Sequence, residues 1–184
     1  SARNLVSGNS GVGIGVYASF SNANVPLAAG GGTVIRGNFV GVNAAGTAPL
    51  VNQAFGVSVN VPNVTIGGPV ATDRNVVAGG NGGGINLNRQ ISGPVLISAD
   101  NTLVQGNHIG VDEGGTIRMN TAATGIYVAT SNNQILGNVI AGHGQSVPVG
   151  LYASGVRIQG SPTAPANGNV LKGNYIGPNA AGDA

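Results

Sequence analysis

The stretch Gly37-Asn38-Phe39-Val40-Gly41-Val42-Asn43-Ala44-Ala45-Gly46-Thr47 occurs three times in related forms. It returns as Gly106-Asn107-His108-Ile109-Gly110-Val111-Asp112-Glu113-Gly114-Gly115-Thr116, and again as Gly173-Asn174-Tyr175-Ile176-Gly177-Pro178-Asn179-Ala180-Ala181-Gly182-Asp183. The copies begin at 37, 106 and 173, intervals of 69 and 67 residues. A near-constant period predicts a stacked architecture in which each unit buries its apolar face against its neighbours.

Composition narrows the class. Of 184 residues, 34 are glycine, 41% are hydrophobic and only 7% are charged. Disordered chains are poor in apolar residues, so this composition describes a folded protein whose backbone turns often. Its length suits one domain over residues 1–184. With no cysteine, neither a disulfide framework nor a thiolate metal site is available. No run of 18 apolar residues predicts membrane insertion, and no basic patch interleaved with aromatics predicts nucleic-acid binding.

Apolar residues alternate over short stretches between turns, as in Val57-Ser58-Val59, Ile85-Asn86-Leu87, Ile126-Tyr127-Val128 and Val156-Arg157-Ile158. Period-two alternation bounded by Gly and Asn reads as short strands, and no 3.6-residue pattern persists. The fold class is therefore all-β. Apolar runs ending in Gly-Asn recur at Asn9, Asn38, Asn107, Asn138 and Asn174. Because Asn tolerates left-handed backbone angles, these five are read as corners that turn the strand without reversing it. Stacked, they would bond to one another as a ladder. Val6, Ile35, Ile66, Val77, Val104, Ile135 and Leu171 are expected to lie over one another inside. About three strands per interval predict a single parallel β-helix of about six to seven coils, repeating at about 4.8 Å.

These residues resemble the pectate-lyase-like, right-handed parallel β-helix superfamily. More narrowly, Gly-Asn-x-[Ile/Val]-Gly-x-[Asn/Asp]-x-x-Gly-[Thr/Asp], followed by Gly-[Val/Ile]-x-Val and Thr-Ile-Gly-Gly, is similar to repeats of large secreted bacterial surface proteins. The resemblance covers essentially the whole chain and implies an extracellular or cell-surface location. Some relatives so implied cleave polysaccharides; others are adhesins, stalks or surface-layer components. The Asp-rich catalytic and calcium-binding motifs of the enzymes have no matching positions here. The resemblance therefore carries the fold and no functional residue.

The candidate sites have bland readings beside their sharp ones. Asp112 falls where the other copies have Asn43 and Asn179, three residues before a glycine, which is an Asx turn before it is a metal or catalytic group. His108 falls where the other copies carry Phe39 and Tyr175, so that position asks for a flat ring on the outside. The glycine runs at 11–15 and 79–84 lack the Lys-Ser/Thr ending and the helix that phosphate binding requires. No catalytic, metal or cofactor residue is assigned, and the chain is read as a non-enzyme.

An outward aliphatic stripe of Leu5, Val34, Val76, Leu103 and Val170 would either meet a partner or lie under the segments 19–32, 90–100 and 160–168. The leading reading is a structural or adhesive rod that self-associates end to end or laterally, as a stalk, surface layer or fibre. It is either a segment of a longer repeat protein or a stacking subunit. One alternative binds or cleaves surface glycans through Arg36, Lys172 and Tyr175. A second is an ice-binding surface, although Thr33 and Thr102 fall inward or at a bend, Thr65 is offset by one, and no Thr-x-Thr ladder exists.

Overall fold

The computed structural model describes residues 3–20, 26–28, 31–119, 124–143 and 154–183. The chain is all-β, with no α-helix among these residues and one 3-10 turn at Ala71–Asp73. Three parallel sheets make up its body. The first contains Leu5–Val6, Phe39–Val40, Val76–Val77, His108–Ile109, Val139–Ile140 and Tyr175–Ile176. The second contains Ile14–Val16, Phe55–Val59, Gly83–Leu87, Thr124–Val128 and Ser154–Ile158. The third contains Val34–Ile35, Thr65–Gly67, Leu103–Gln105, Gln134–Leu136 and Val170–Lys172. The chain visits the sheets in this order at every pass, and each strand pairs with its counterparts one pass before and after.

Because register is exact, side chains pile into columns. Val6, Val40, Val77, Ile109, Ile140 and Ile176 follow one another in the first sheet. Ile35, Ile66, Val104, Ile135 and Leu171 do so in the third. The single stack expected from sequence is therefore two: Val6 and Val77 belong to a different sheet from the other five. Both columns share one buried cluster with Val57, Ile85, Ile126 and their neighbours from the second sheet.

The second sheet meets the first through a column of glycines, Gly13, Gly56, Gly84, Gly125 and Gly155. These are the residues that precede each alternating strand. A Cβ at Gly84 would lie 2.7 Å from Ile109 Cγ2 and 2.6 Å from the Gly125 carbonyl oxygen. The aliphatic groups of the first sheet's column thus occupy the space that side chains on these glycines would need.

The repeat is twice as long as a pass because the insertions alternate. The first and third passes carry antiparallel hairpins between the second and third sheets, Ser19–Phe20 with Pro26–Ala28 and Arg89–Ser92 with Val95–Ser98. The second and fourth carry turns between the first and second sheets, closed by the bridges Val42–Pro49 and Val111–Arg118. Two strand spacings are about 9.6 Å, close to the ~10 Å at which β layers pack face to face. One insertion therefore fills the height of two passes. The Gly46 carbonyl accepts from Glu113 N–H at 2.9 Å, and the Gly115 carbonyl from Ala180 N–H at 2.8 Å, so successive turns touch.

Gly84→Ala should destabilise the fold by about 2 kcal/mol through overpacking. Gly11→Ala, where nothing lies within 4 Å of the new Cβ, should stay within about 0.5 kcal/mol of the parent. Urea unfolding monitored by circular dichroism separates the two.

Candidate functional site

The most extended polar constellation is a row of asparagines at the corner between the third and first sheets. The Asn4 amide donates to Asn38 Oδ1 at 2.8 Å, Asn38 to Asn75 at 3.0 Å and Asn75 to Asn107 at 2.9 Å. Asn107 continues to Asn138 at 3.1 Å, and Asn138 to Asn174 at 3.0 Å. The same Oδ1 atoms accept the backbone N–H of the preceding asparagine from Asn38 to Asn138. From Asn75 to Asn174 each amide also reaches back to a strand carbonyl of the third sheet, as Asn107 does to Ile66 and Asn138 to Val104, both at 2.9 Å. Asn75, Asn107 and Asn138 are fully buried. Burial of so many amides is tolerable because both halves of each carboxamide are satisfied.

Asn38, Asn107, Asn138 and Asn174 of the expected ladder lie in this row. Asn9 does not: it bonds to Asn52 at 2.8 Å, at another corner. Its place is taken by Asn4, and Asn75 adds a member that no Gly-Asn pair announces. The left-handed angles expected of the ladder asparagines belong instead to the glycines before them, with φ of 67° at Gly37 and 66° at Gly106 and Gly173. Asparagine does take that role where the second sheet turns into the third, at Asn63, Asn101 and Asn132, with φ of 57–60°. A shorter ladder stands beside it: Asn133 N–H and amide both donate to Asn169 Oδ1 at 2.9 Å.

The outward row of the first sheet runs Leu5, Phe39, Val76, His108, Val139, Tyr175. The repeat's turns fold over it. Phe39, Val42, Val76, Ala78 and Met119 form one buried cluster. A Cβ at Gly46 would fall 2.7 Å from Phe39 Cζ, and one at Gly115 would fall 2.6 Å from His108 Cε1. Ring and glycine therefore recur together in the motif because one lies against the other. His108 Nδ1 is 3.0 Å from the Asp112 carbonyl oxygen. Asp112 Oδ1 accepts the N–H groups of Thr116 at 2.7 Å and Ile117 at 2.8 Å. Asn43 and Asn179 serve the other turns in the same way.

The aliphatic stripe divides between two sheets. Val34, Leu103 and Val170 line up with Thr65 and Gln134 on the outer side of the third sheet, where Val34 and Val170 are exposed. Leu5 and Val76 belong to the first sheet, and Val76 is wholly buried under the turns. Of the segments proposed as cover, residues 90–100 form most of a hairpin and 161–164 a bridged turn. Part of 19–32 lies outside the described residues.

The glycan trio is not gathered. Arg36 follows the first strand of the third sheet and Lys172 ends the fifth, four spacings or about 19 Å apart, and Tyr175 is on the first sheet. Arg36 approaches Asp73 at 3.8 Å. Tyr175 instead shares a cavity of about 270 Å3 with Arg74, His108, Val139 and Ala180. Of the threonines, Thr102 is buried with its hydroxyl on the Ala99 carbonyl, and Thr65 sits in the third sheet's outward row.

Four of the five acidic side chains hold structure. Asp112 closes its turn, and Asp100 accepts from Ser131 N–H at 2.7 Å and from the Ser98 hydroxyl at 2.5 Å. Asp73 faces Arg36, and Glu113 meets Arg3 at 2.7 Å, whose guanidinium also lies 4.6 Å from the Phe39 ring centre. Among the described residues no three His, Cys, Asp or Glu side chains converge, and no helix is long and apolar enough to cross a membrane. No protein-family model, curated protein or solved structure matches the chain.

Two outcomes follow from this geometry. Asn107→Ala orphans buried partners on three sides and should cost about 3 kcal/mol, against about 1 kcal/mol for Asn43→Ala, whose turn hydrogen bonds are exposed, read from denaturant midpoints. His108 is held below its ordinary 6.5, first by burial and then by the Arg74 guanidinium. The unfolded chain therefore binds the proton more readily, so stability should rise with pH on the way up to 6.5. His108→Phe, which copies the ring at Phe39, should flatten that dependence in melts across the same pH interval.

Proposed function

We propose that this chain is a non-catalytic structural or adhesive domain of an extracellular protein, wound as one right-handed parallel β-helix over residues 1–184. The carrying observation is how its chemistry-bearing side chains are used. The ladder asparagines, Asp100 and Asp112 bond to backbone or to one another, and Asp73 and Glu113 meet arginines, so these polar groups maintain a rod instead of converging on a substrate. Right-handedness follows from the general preference of parallel crossovers. The extracellular setting rests on the resemblance of the repeat to those of secreted surface proteins.

End-to-end stacking is part of this reading. At the last strands, Leu171 is 41% and Ile176 44% exposed, although their column neighbours Ile135 and Ile140 are fully buried. A further strand, whether from a continuation of the chain or from a second copy, would cover them. A second reading, glycan binding, is favoured by one feature, the cavity shared by Arg74 and Tyr175.

Sedimentation velocity and negative-stain imaging of the purified chain should show species that lengthen with concentration, and Leu171→Asp with Ile176→Asp should stop the growth. A monomer at every concentration would defeat the stacking. Titration with a uronate polymer, with and without calcium, tests the second reading. Saturable binding lost in Arg74→Ala would favour it, and no binding would remove it.

A further inference from the structure

The outward row of the first sheet alternates aliphatic and ring side chains, which makes two equivalent stations along the rod. At the first, Phe39, Val76 and His108 stand in register on successive passes. At the second, His108, Val139 and Tyr175 do the same. Each station has an arginine on the pass before its first ring. Arg3 stands two residues before Leu5, the partner of Phe39, and Arg74 two before Val76, the partner of His108. Each is also bordered by the following repeat turn, in which Glu113 and Ala180 hold the same place. Glu113 N–H donates to the Gly46 carbonyl, and Ala180 N–H donates to the Gly115 carbonyl. A Cβ on Gly46 would lie 3.2 Å from Glu113 Cβ, and one on Gly115 would lie 2.8 Å from Ala180 Cβ.

The stations differ in what faces the arginine. At the first, the Glu113 carboxylate reaches Arg3 at 2.7 Å, and the guanidinium lies 4.6 Å from the Phe39 ring centre. At the second, the side chain stops at the Ala180 methyl, and Arg74 and Ala180 line a cavity of about 270 Å3. Arg74 spends Nε on the Gly106 carbonyl at 3.3 Å and forms no ion pair among the described residues. Asp73, its neighbour in sequence, is turned to Arg36. At neutral pH Arg74 is the one charged side chain in the lining, because burial keeps the His108 imidazole neutral. A guanidinium fork matches a carboxylate in shape as well as in charge.

We propose that the Arg74 cavity binds a small organic carboxylate, which takes the place that Glu113 fills beside Arg3. The carboxylate pairs with the terminal nitrogens of Arg74, and the body of the ligand lies over Val139 against the Tyr175 ring. The cavity is smaller than the ~300–1,000 Å3 of sites for drug-sized ligands, so an acid built on a single ring suits it. Aromatic acids and sugar acids share this chemistry, and the test separates them. The inference rests on the same cavity that favours the glycan reading and names the chemistry of its ligand, without requiring a polymer.

Calorimetric titration of the purified chain with benzoate and with glucuronate should show saturable binding of at least one, with Kd of about 1 mM or tighter. Whichever acid binds more tightly identifies the ring. Benzamide and glucose, which keep the rings without the charge, should bind about tenfold more weakly. Binding should shift the ring resonances of His108 and Tyr175 in NMR spectra. Arg74→Ala should weaken it about tenfold. Ala180→Glu supplies the carboxylate from the protein itself and should weaken it about as much. Should Arg74→Ala fail to fold, Ala180→Glu decides alone, because the equivalent turn already carries that side chain at Glu113. No saturable binding of either acid, or undiminished binding in Ala180→Glu, would overturn the proposal. A uronate polymer bound through Arg74 without either small acid would remove this inference and leave the glycan reading standing. Binding of a small acid without the polymer would do the reverse.

Discussion

Everything in this fold depends on satisfying backbone polar groups where a parallel ribbon bends. A strand within a parallel sheet pairs both of its edges, but a corner interrupts the ladder and leaves peptide groups facing the interior. An unpaired buried amide costs about 1–3 kcal/mol, and the stack has such a corner at every pass. The asparagine row solves this with a side chain that copies a peptide group. Its carbonyl receives the N–H and amide of one neighbour, and its amide reaches the next oxygen. The same bonds fix the axial register of every pass, because a slipped strand would break its links on both sides.

Register in turn allows the narrow interior. Aliphatic columns of the first sheet press against glycines of the second at contact distances that no other residue permits. This interlock explains why the protein can be rich in glycine and still well packed: the glycines are sites filled by a neighbour's side chain. The outer surface obeys a second length. Hairpins and turns are about 10 Å thick while a pass rises about 4.8 Å, so decoration on alternate passes follows from layer geometry. A sequence period of 69 and 67 residues reports the decoration, and the pass is about half of it.

Much of this was legible in the residues. The tripled motif, period-two alternation and absence of helical periodicity identify parallel short strands, and the Asx-x-x-Gly spacing identifies the turn later seen at Asp112. The ladder is less plain in the sequence, because its signal is the residue that follows the asparagine. Asn4-Leu5-Val6, Asn38-Phe39-Val40, Asn75-Val76-Val77 and Asn107-His108-Ile109 share an Asn-x-aliphatic pattern that a search for Gly-Asn passes over. Ser7-Gly8-Asn9 imitates the corner but leads into a different bend, where Asn52 waits. The two columns look alike in sequence for the same reason, since an aliphatic residue shortly before Gly ends a first-sheet and a third-sheet strand alike. The hairpin at 89–98 was hidden because its pairing is set by what its inner face touches, Asn60 and the core, far away in sequence.

Hydrogen exchange of the side-chain amides measures the central claim most directly. If the asparagine row holds the passes in register, the carboxamide protons of Asn75, Asn107 and Asn138 should exchange only with global unfolding, together with the backbone N–H groups they bond. Exchange of these protons as fast as those of Asn43, on its exposed turn, would contradict the account.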